Sequence, residues 1–125
     1  MKKEFYYCEI CKSIVTNLNG VDTPKICCGK PMKKLNAGEV EASQEKHIPV
    51  CEMSNGTLKV KVGSLFHPME EKHYIEWILV KTDKGEYVKY LQPNKEPVAT
   101  FCIYDEKVEK VYAYCNLHGL WKVEL

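Results

Sequence analysis

The sequence contains no arginine, and this absence limits the kinds of partner the protein can be expected to bind. All eighteen basic residues are lysine, and seventeen aspartate and glutamate residues balance them, so the 125-residue chain has a formal net charge of +1. Nucleic-acid-binding proteins concentrate positive charge and use the planar arginine side chain to hold phosphates and guanine bases. The composition therefore argues against a nucleic-acid-binding function.

Long apolar segments are missing as well. The longest uninterrupted apolar run covers residues 111–115, far short of the roughly 20 residues that cross a bilayer. Residues 1–8 lack the apolar core of a secretory signal. We therefore expect a cytoplasmic protein that does not bind membranes.

Cysteine, by contrast, is abundant, with seven residues in a short chain. In a reducing compartment, cysteines at this density bind metal more often than they form disulfides. Four of the seven lie in the first 28 residues, whereas all four histidines lie beyond that point. This division predicts two domains, residues 1–36 and residues 37–125. A domain of about 36 residues is too small to be held by a hydrophobic core alone, so we expect a metal to support it.

The apolar pattern predicts a mainly β protein, because no segment has a convincing helical period. In the first domain, residues 5–7 and 13–16 resemble short strands, and residues 37–44 form a polar linker. The second domain contains about seven short β segments separated by turn sequences such as Asn55-Gly56, which favours an antiparallel β-sandwich. These segments are residues 48–53, 58–62, 74–81, 87–91, 98–104, 108–115 and 121–125.

The N-terminal cysteines have the spacing of a metal site. Cys8 and Cys11 form a C-x-x-C knuckle, and Cys27 and Cys28 follow after fifteen residues. Four thiolates make a closed tetrahedral site that suits zinc or iron, and the ligand types alone do not choose between these metals. Because the second pair is adjacent in sequence, we expect a distorted tetrahedron, with Gly29 relieving the tight turn.

The second domain contains a different candidate metal site. Cys115 and His118 have the spacing of a bidentate metal loop, and the other histidines lie near strand ends, where loops of a sandwich converge. Five such ligands around one Fe²⁺ would leave one octahedral position free, which would attract a small anion; a free position is typical of a site that performs chemistry. The five residues are His47, His67, His73, Cys115 and His118.

The order and spacing of these residues are similar to those of the desulfoferrodoxins, the two-iron form of superoxide reductase. The resemblance covers essentially the whole chain. It rests on the four N-terminal cysteines and on three segments of the second domain, Glu45-Lys46-His47, residues 67–74 (HPMEEKHY) and residues 115–119 (CNLHG).

The resemblance implies a desulforedoxin/rubredoxin-like domain in residues 1–36 and an immunoglobulin-like superoxide reductase β-sandwich in residues 37–125. It implies two iron ions, Fe(Cys)4 in the first domain and Fe(His)4(Cys) in the second, and so favours iron over zinc. The second iron would have Cys115 as its axial ligand and His47, His67, His73 and His118 as its equatorial ligands.

The activity implied is the one-electron reduction of superoxide to hydrogen peroxide at the open sixth position of the second iron. A rubredoxin-like protein would supply the electrons, and the protein would be a homodimer. The resemblance gives Lys46 the role of attracting the anion and organising protons. Glu45 would fill the sixth position in the resting ferric state, although a glutamate in a charged segment is commonly just a surface residue.

Two other functions remain open from the residues alone. An electron-transfer protein without its own substrate would explain the cysteine-rich domain but would leave the mixed-ligand site unused. A zinc-ribbon interaction module is opposed by the near-neutral charge and by the histidine-containing site. Outside the metal motifs, Cys51 and Cys102 are expected to be buried core thiols, and Trp121 is expected to be a core aromatic residue close to the metal loop.

Overall fold

The computed structural model of the chain describes residues 2–125. The chain divides into two compact units, with the boundary between Asn36 and Ala37. No helix among the described residues is long and apolar enough to span a membrane.

The first unit is a small β structure with a minimal core. Strand β1 lies between β2 and β5 in an antiparallel sheet, and β3 pairs with β4 in a separate hairpin. Phe5 and Tyr6 of β1 are its buried aromatic residues. The strands are β1 (Phe5–Tyr7), β2 (Ile14–Thr16), β3 (Ile26–Cys27), β4 (Lys30–Pro31) and β5 (Lys33–Leu35).

The second unit is a sandwich of two antiparallel sheets. One sheet has the strand order β10-β7-β6, and the other has the order β12-β11-β8-β9. A single helical turn, α1 (Gln44–His47), precedes the first strand. The strands are β6 (Pro49–Ser54), β7 (Thr57–Val62), β8 (Ile75–Thr82), β9 (Glu86–Tyr90), β10 (Val98–Cys102), β11 (Val108–Cys115) and β12 (Gly119–Glu124).

Alternating side chains build the core between the two sheets. Leu58, Val60 and Val62 of β7 are buried, while Lys59 between them is exposed, as the two-residue period of a strand requires. The facing sheet contributes inward residues of β8 and β11 to the same cluster. Cys115 belongs to this core, so the β11 end of the metal loop is fixed by packing.

The prediction of a mainly β chain with an antiparallel β-sandwich is confirmed. Helix α1 was not predicted, because a turn of four residues is too short to have a period. The prediction that Cys102 is a buried core thiol is wrong, since Ala99 and Phe101 point into the core and the alternation of β10 places Cys102 on the exposed face. Cys51 is half-buried and packs against the core.

Candidate metal centres

The structure brings the four N-terminal cysteine side chains together, and we call Cys8, Cys11, Cys27 and Cys28 the four-cysteine cluster. Their sulfur atoms all lie within 4.8 Å of one another. The Cys11 and Cys27 sulfurs are 3.5 Å apart, and those of Cys27 and Cys28 are 4.0 Å apart. A tetrahedron with metal–sulfur distances of about 2.3 Å has sulfur–sulfur edges of about 3.8 Å. The cluster is therefore the right size for one tetrahedral metal ion.

The backbone explains how adjacent cysteines can face the same point. Cys28 has a φ of 53° and Gly29 has a φ of 75°, so two successive residues adopt the left-handed conformation and turn the chain sharply. In the other knuckle, Lys12 has a φ of 68°, and the backbone N–H of Cys11 donates to the Cys8 sulfur over 3.5 Å. Both turns direct the cysteine sulfurs toward the centre of the four-cysteine cluster.

Electrostatics in the four-cysteine cluster favour a bound cation. The Ser13 hydroxyl lies 3.1 Å from the Cys11 sulfur, and its hydrogen bond is the main reason that the pKa of Cys11 falls to about 6. Hydrogen bonding with Cys11 and Cys8 raises the pKa of Cys27 to about 12. Cys11 and Cys27 therefore do not ionise together at neutral pH, and a bound cation would allow both to be thiolates.

The second cluster is built on a closed ring of four imidazoles. Proceeding from His47 to His67, His73 and His118, neighbouring ring centroids are 4.5, 4.8 and 5.0 Å apart, and the last pair, His118 and His47, closes the ring at 5.0 Å. Neighbouring planes are inclined by 78° to 84°. Each imidazole plane is therefore nearly perpendicular to its two neighbours, and the four rings surround a common centre.

The nitrogen positions match metal coordination. His47 Nε2 lies 3.1 Å from both His67 Nε2 and His118 Nδ1. A square with this edge has its centre about 2.2 Å from each corner, close to the length of about 2.0–2.1 Å of a zinc–imidazole bond. His73 Nε2 is buried with no hydrogen-bond partner. An ion at the centre would satisfy this nitrogen, which otherwise carries the cost of an unpaired buried polar atom.

Hydrogen bonds fix the tautomers of two of these histidines. The Nδ1 atoms of His47 and His67 lie 2.6 Å from the backbone carbonyl oxygens of Ser43 and Pro68. A carbonyl oxygen only accepts, so each Nδ1 carries the proton and each Nε2 offers its lone pair to the centre. Burial lowers the pKa of His67 to about 4 and also lowers the pKa of His47. Both rings are therefore neutral, as metal ligands must be.

Cys115 lies at the interior side of the imidazole ring, and together with the four histidines it forms what we call the histidine–cysteine cluster. It is fully buried, and its ligand atom and the four histidine nitrogens all lie within 4.8 Å of one another. Burial raises the pKa of the Cys115 thiol, while the backbone N–H groups of His118 and Leu117 oppose that shift; the His118 N–H lies 3.4 Å from the sulfur. The donor to this sulfur could not be named from the sequence.

Three structural supports of this cluster have only weak sequence signals. The Trp121 ring packs 4.8 Å from that of His47, and its indole N–H donates to the His118 carbonyl over 3.0 Å. The side chain of Asn116 bridges the two ligand-bearing loops. Gly63 lies against the backbone of α1. Asn116 lies within the C-x-x-H motif and Trp121 lies three residues after it, which is the sequence signal for these two residues; Gly63 has no such signal.

Glu45 and Lys46 lie on α1 next to His47, and both side chains are exposed. The positive charge of Lys46 contributes to lowering the pKa of His47, so it acts on the cluster electrostatically. Neither side chain forms an ion pair with any of the described residues. Lys72 has the corresponding place beside His73 and is also exposed.

Comparison with known proteins decides the family. The sequence profile described as "Desulfoferrodoxin" matches residues 39–124, and the one described as "Desulfoferrodoxin, N-terminal domain" matches residues 1–35. The chain belongs to the desulfoferrodoxin family. A desulfoferrodoxin of Syntrophotalea carbinolica is 48% identical over 123 residues, covering 98% of this chain and 97% of the relative.

Solved structures of the family agree in fold. The superoxide reductase of Treponema pallidum aligns over 99% of this chain and 100% of its own, with a TM-score of 0.84 and 34% identity. The one-iron superoxide reductase of Giardia intestinalis aligns over 65% of this chain and 99% of its own, with a TM-score of 0.54 and 37% identity. As a desulfoferrodoxin, the chain carries two irons, one for the four-cysteine cluster and one for the histidine–cysteine cluster.

Proposed function

We propose that this desulfoferrodoxin reduces superoxide to hydrogen peroxide at the histidine–cysteine cluster. The observation that carries the proposal is the ring of four imidazoles beside the buried side chain of Cys115. Five protein donors would hold an iron ion and would leave it able to take a small ligand as the sixth.

The same geometry supports the proposed ligand assignment. His47, His67 and His73 would bind the iron through Nε2, His118 through Nδ1 and Cys115 through its sulfur. In the first unit, Cys8, Cys11, Cys27 and Cys28 would hold the other iron. Four sulfur atoms that all lie within 4.8 Å of one another support that assignment.

Lys46 is proposed to attract the substrate anion. Eleven lysines against fourteen carboxylates give the second unit a net charge of −3, so the unit as a whole does not attract superoxide. The exposed, unpaired ammonium of Lys46 supplies a local positive charge beside His47. A charge placed at an open site raises the association rate in a salt-dependent way. We also propose, from the family resemblance, that Lys46 helps to organise the protons that the reaction consumes.

The chemistry that bound iron would supply is the transfer of a single electron, so that superoxide, one electron and two protons would give hydrogen peroxide. Hydrogen bonds within the protein orient the residues that would bind the iron. The Ser43 and Pro68 carbonyls fix the orientation of His47 and His67, and the His118 N–H stabilises negative charge on the Cys115 sulfur. Glu45 is proposed as the carboxylate that occupies the sixth position in the oxidised resting state.

The physiological setting is proposed from the family resemblance. We infer a rubredoxin-like electron donor, a homodimer and a cytoplasmic location in which the protein detoxifies superoxide. The seven cysteines are all unpaired, which fits a reducing compartment.

The stoichiometry of the reaction tests the proposal. The reduced, iron-loaded protein is mixed with superoxide, and hydrogen peroxide and dioxygen are measured together. We expect one peroxide for each superoxide and no dioxygen, whereas dismutation yields one peroxide and one dioxygen for every two superoxides. The control variant His118→Ala should lose the activity while keeping the absorption of the iron in the four-cysteine cluster. Release of dioxygen, or equal superoxide consumption by the variant, would contradict the proposal.

A further inference from the structure

The helical turn α1 is attached to the segment that follows β7. The Leu65 N–H donates to the Glu45 carbonyl oxygen over 3.1 Å, and the Ser64 hydroxyl lies 3.3 Å from the same oxygen. The Gly63 N–H donates to the Ile48 carbonyl oxygen over 3.2 Å. These contacts join residues 45–48 to residues 63–65 along most of their length.

Both joined segments lead directly to a histidine of the imidazole ring. His47 is the last residue of α1, and His67 follows two residues after Leu65. The His67 N–H donates to the Val62 carbonyl oxygen over 3.2 Å, which folds the loop back on the end of β7. The separation of the two backbone segments therefore determines where His47 and His67 stand relative to each other.

Gly63 lies directly against the α1 backbone. It is buried and has a φ of 90°. A Cβ at this position would overlap the Leu65 carbonyl oxygen and would lie 2.7 Å from Lys46 Cα and 2.8 Å from the Glu45 carbonyl oxygen. The last two contacts involve backbone atoms of α1, so a side chain at position 63 could be accommodated only by a shift of the α1 backbone, of residues 63–65 or of both.

We propose that Gly63 is a positioning residue of the histidine–cysteine cluster. Its missing side chain allows the α1 backbone to approach residues 63–65, and this approach holds His47 Nε2 within 3.1 Å of His67 Nε2. The same contact fixes Lys46, whose Cα is one of the atoms that a Cβ would displace. The inference rests on the proposed assignment of these histidines as iron ligands, and it does not require that the iron react with superoxide.

A matched glycine separates close approach from backbone conformation. Gly38 lies in the same unit and has a φ of 73°, but a Cβ there would meet no atom within 4 Å. Gly38→Ala therefore introduces the strain of a positive φ without crowding. Gly63→Ala introduces both, so the difference between the two variants reports the crowding at position 63, from the Leu65 carbonyl oxygen and from the α1 backbone.

Iron retention is the measurement. The reduced wild-type protein and both variants are loaded with two irons per chain and treated with excess ferrous chelator without oxygen. We expect Gly63→Ala to release the iron of the histidine–cysteine cluster at least about tenfold faster than wild type, the size of effect that loss of ligand support has on metal affinity. Gly38→Ala should match wild type, and the iron of the four-cysteine cluster should stay in place in all three proteins.

Equal release from the Gly63→Ala and Gly38→Ala variants would overturn the proposal. If Gly63→Ala does not fold, amide hydrogen exchange on the wild-type protein decides instead. We expect slow exchange at Gly63 and Leu65, whose N–H groups bind α1 and the residue that follows it, and fast exchange at these amides would refute the attachment. A wild-type protein that retains iron but does not reduce superoxide would contradict the proposed activity and leave the role of Gly63 standing.

Discussion

Asn116 and Tyr74 hydrogen-bond to each other in both directions. The Tyr74 N–H donates to Asn116 Oδ1 over 3.0 Å, and the Asn116 N–H lies 3.3 Å from the Tyr74 carbonyl oxygen. Asn116 Nδ2 also donates to the Lys72 carbonyl oxygen over 2.9 Å. This one side chain therefore ties the loop of His73 to the loop that carries Cys115 and His118.

Replacing Asn116 by alanine should loosen the imidazole ring. The change removes both side-chain hydrogen bonds and leaves the partly buried Tyr74 N–H without its partner, while water can replace the exposed bond to the Lys72 carbonyl; we therefore expect the free energy of unfolding to fall by about 1–3 kcal/mol. Chemical denaturation of the iron-loaded protein measures this change. Asn116→Asp keeps the acceptor for the Tyr74 N–H and loses the donor to the Lys72 carbonyl. Its free energy of unfolding should lie between those of wild type and Asn116→Ala. An unchanged midpoint for the alanine variant would mean that the bridge has no structural role.

Lys46→Ala should slow the reaction with superoxide. Removing the local positive charge should lower the second-order rate by about tenfold at low ionic strength and should flatten its dependence on salt. Pulse radiolysis at several salt concentrations measures both quantities. Lys72→Ala is the matched control, because this lysine also directly precedes a histidine of the ring, and it should change the rate little. Identical rates and salt slopes for wild type and Lys46→Ala would exclude electrostatic attraction by Lys46.

Glu45→Ala should preserve superoxide reduction and change the oxidised state. If the carboxylate fills the sixth position after oxidation, its loss should alter the absorption and electron paramagnetic resonance spectra of the ferric histidine–cysteine cluster. Glu41→Ala, which removes another exposed carboxylate of the same unit, should leave both spectra as they are. A ferric spectrum unaffected by the Glu45 change would rule out carboxylate coordination.

Ser13→Ala should raise the pKa of Cys11. The Ser13 hydroxyl is the main cause of the fall of this pKa to about 6, so without it less thiolate is present at neutral pH. Alkylation of the metal-free protein, located by mass spectrometry, should show the midpoint for Cys11 moving to higher pH. In wild type, Cys11 is protonated as the pH falls through about 6, and metal binding at the four-cysteine cluster should weaken over the same range. Ser13→Thr should restore the low midpoint, and equal midpoints for wild type and Ser13→Ala would disprove the role of the hydroxyl.

Cys102 and Cys51 should react very differently with a thiol reagent. Cys102 is exposed on β10, whereas burial raises the pKa of Cys51 to about 11. In the iron-loaded protein at about pH 8, alkylation should therefore modify Cys102 first and leave Cys51 intact, because the thiolate is the reactive form. Peptide mapping distinguishes the two sites, and labelling of Cys51 at the same rate would contradict the placement of these strands.

The sequence predicts the strands and the two ligand sets well because these depend on local patterns. The alternation of Leu58, Val60 and Val62 with lysines indicates a half-buried strand. Cysteine and histidine are rare elsewhere in the chain, so their spacing alone is informative. The orientation of Cys102 could not be inferred from its residue type, because it depends on which alternate residues of β10 face the core. In the structure these are Ala99 and Phe101, so Cys102 lies on the other face of the strand.

Features that depend on close approach of distant segments could not be predicted. Nothing in the residues around Gly63 indicates that the α1 backbone lies against it, because the contact depends on how β6 pairs with β7. The left-handed conformation of Cys28 is similarly hidden, since cysteine has no special preference for a positive φ. The carbonyl groups that orient His47 and His67 belong to the backbone, which every residue type has, so the sequence cannot identify them.

The boundary between Asn36 and Ala37 also separates the two coordination spheres. Every sulfur of the first cluster comes from one side of this boundary, and every donor of the second comes from the other. Neither ion needs a side chain from across the boundary, so occupancy of one centre has no stoichiometric link to occupancy of the other. Iron loading of the second unit should therefore not require iron in the four-cysteine cluster, whereas the small first unit depends on its own ion for stability.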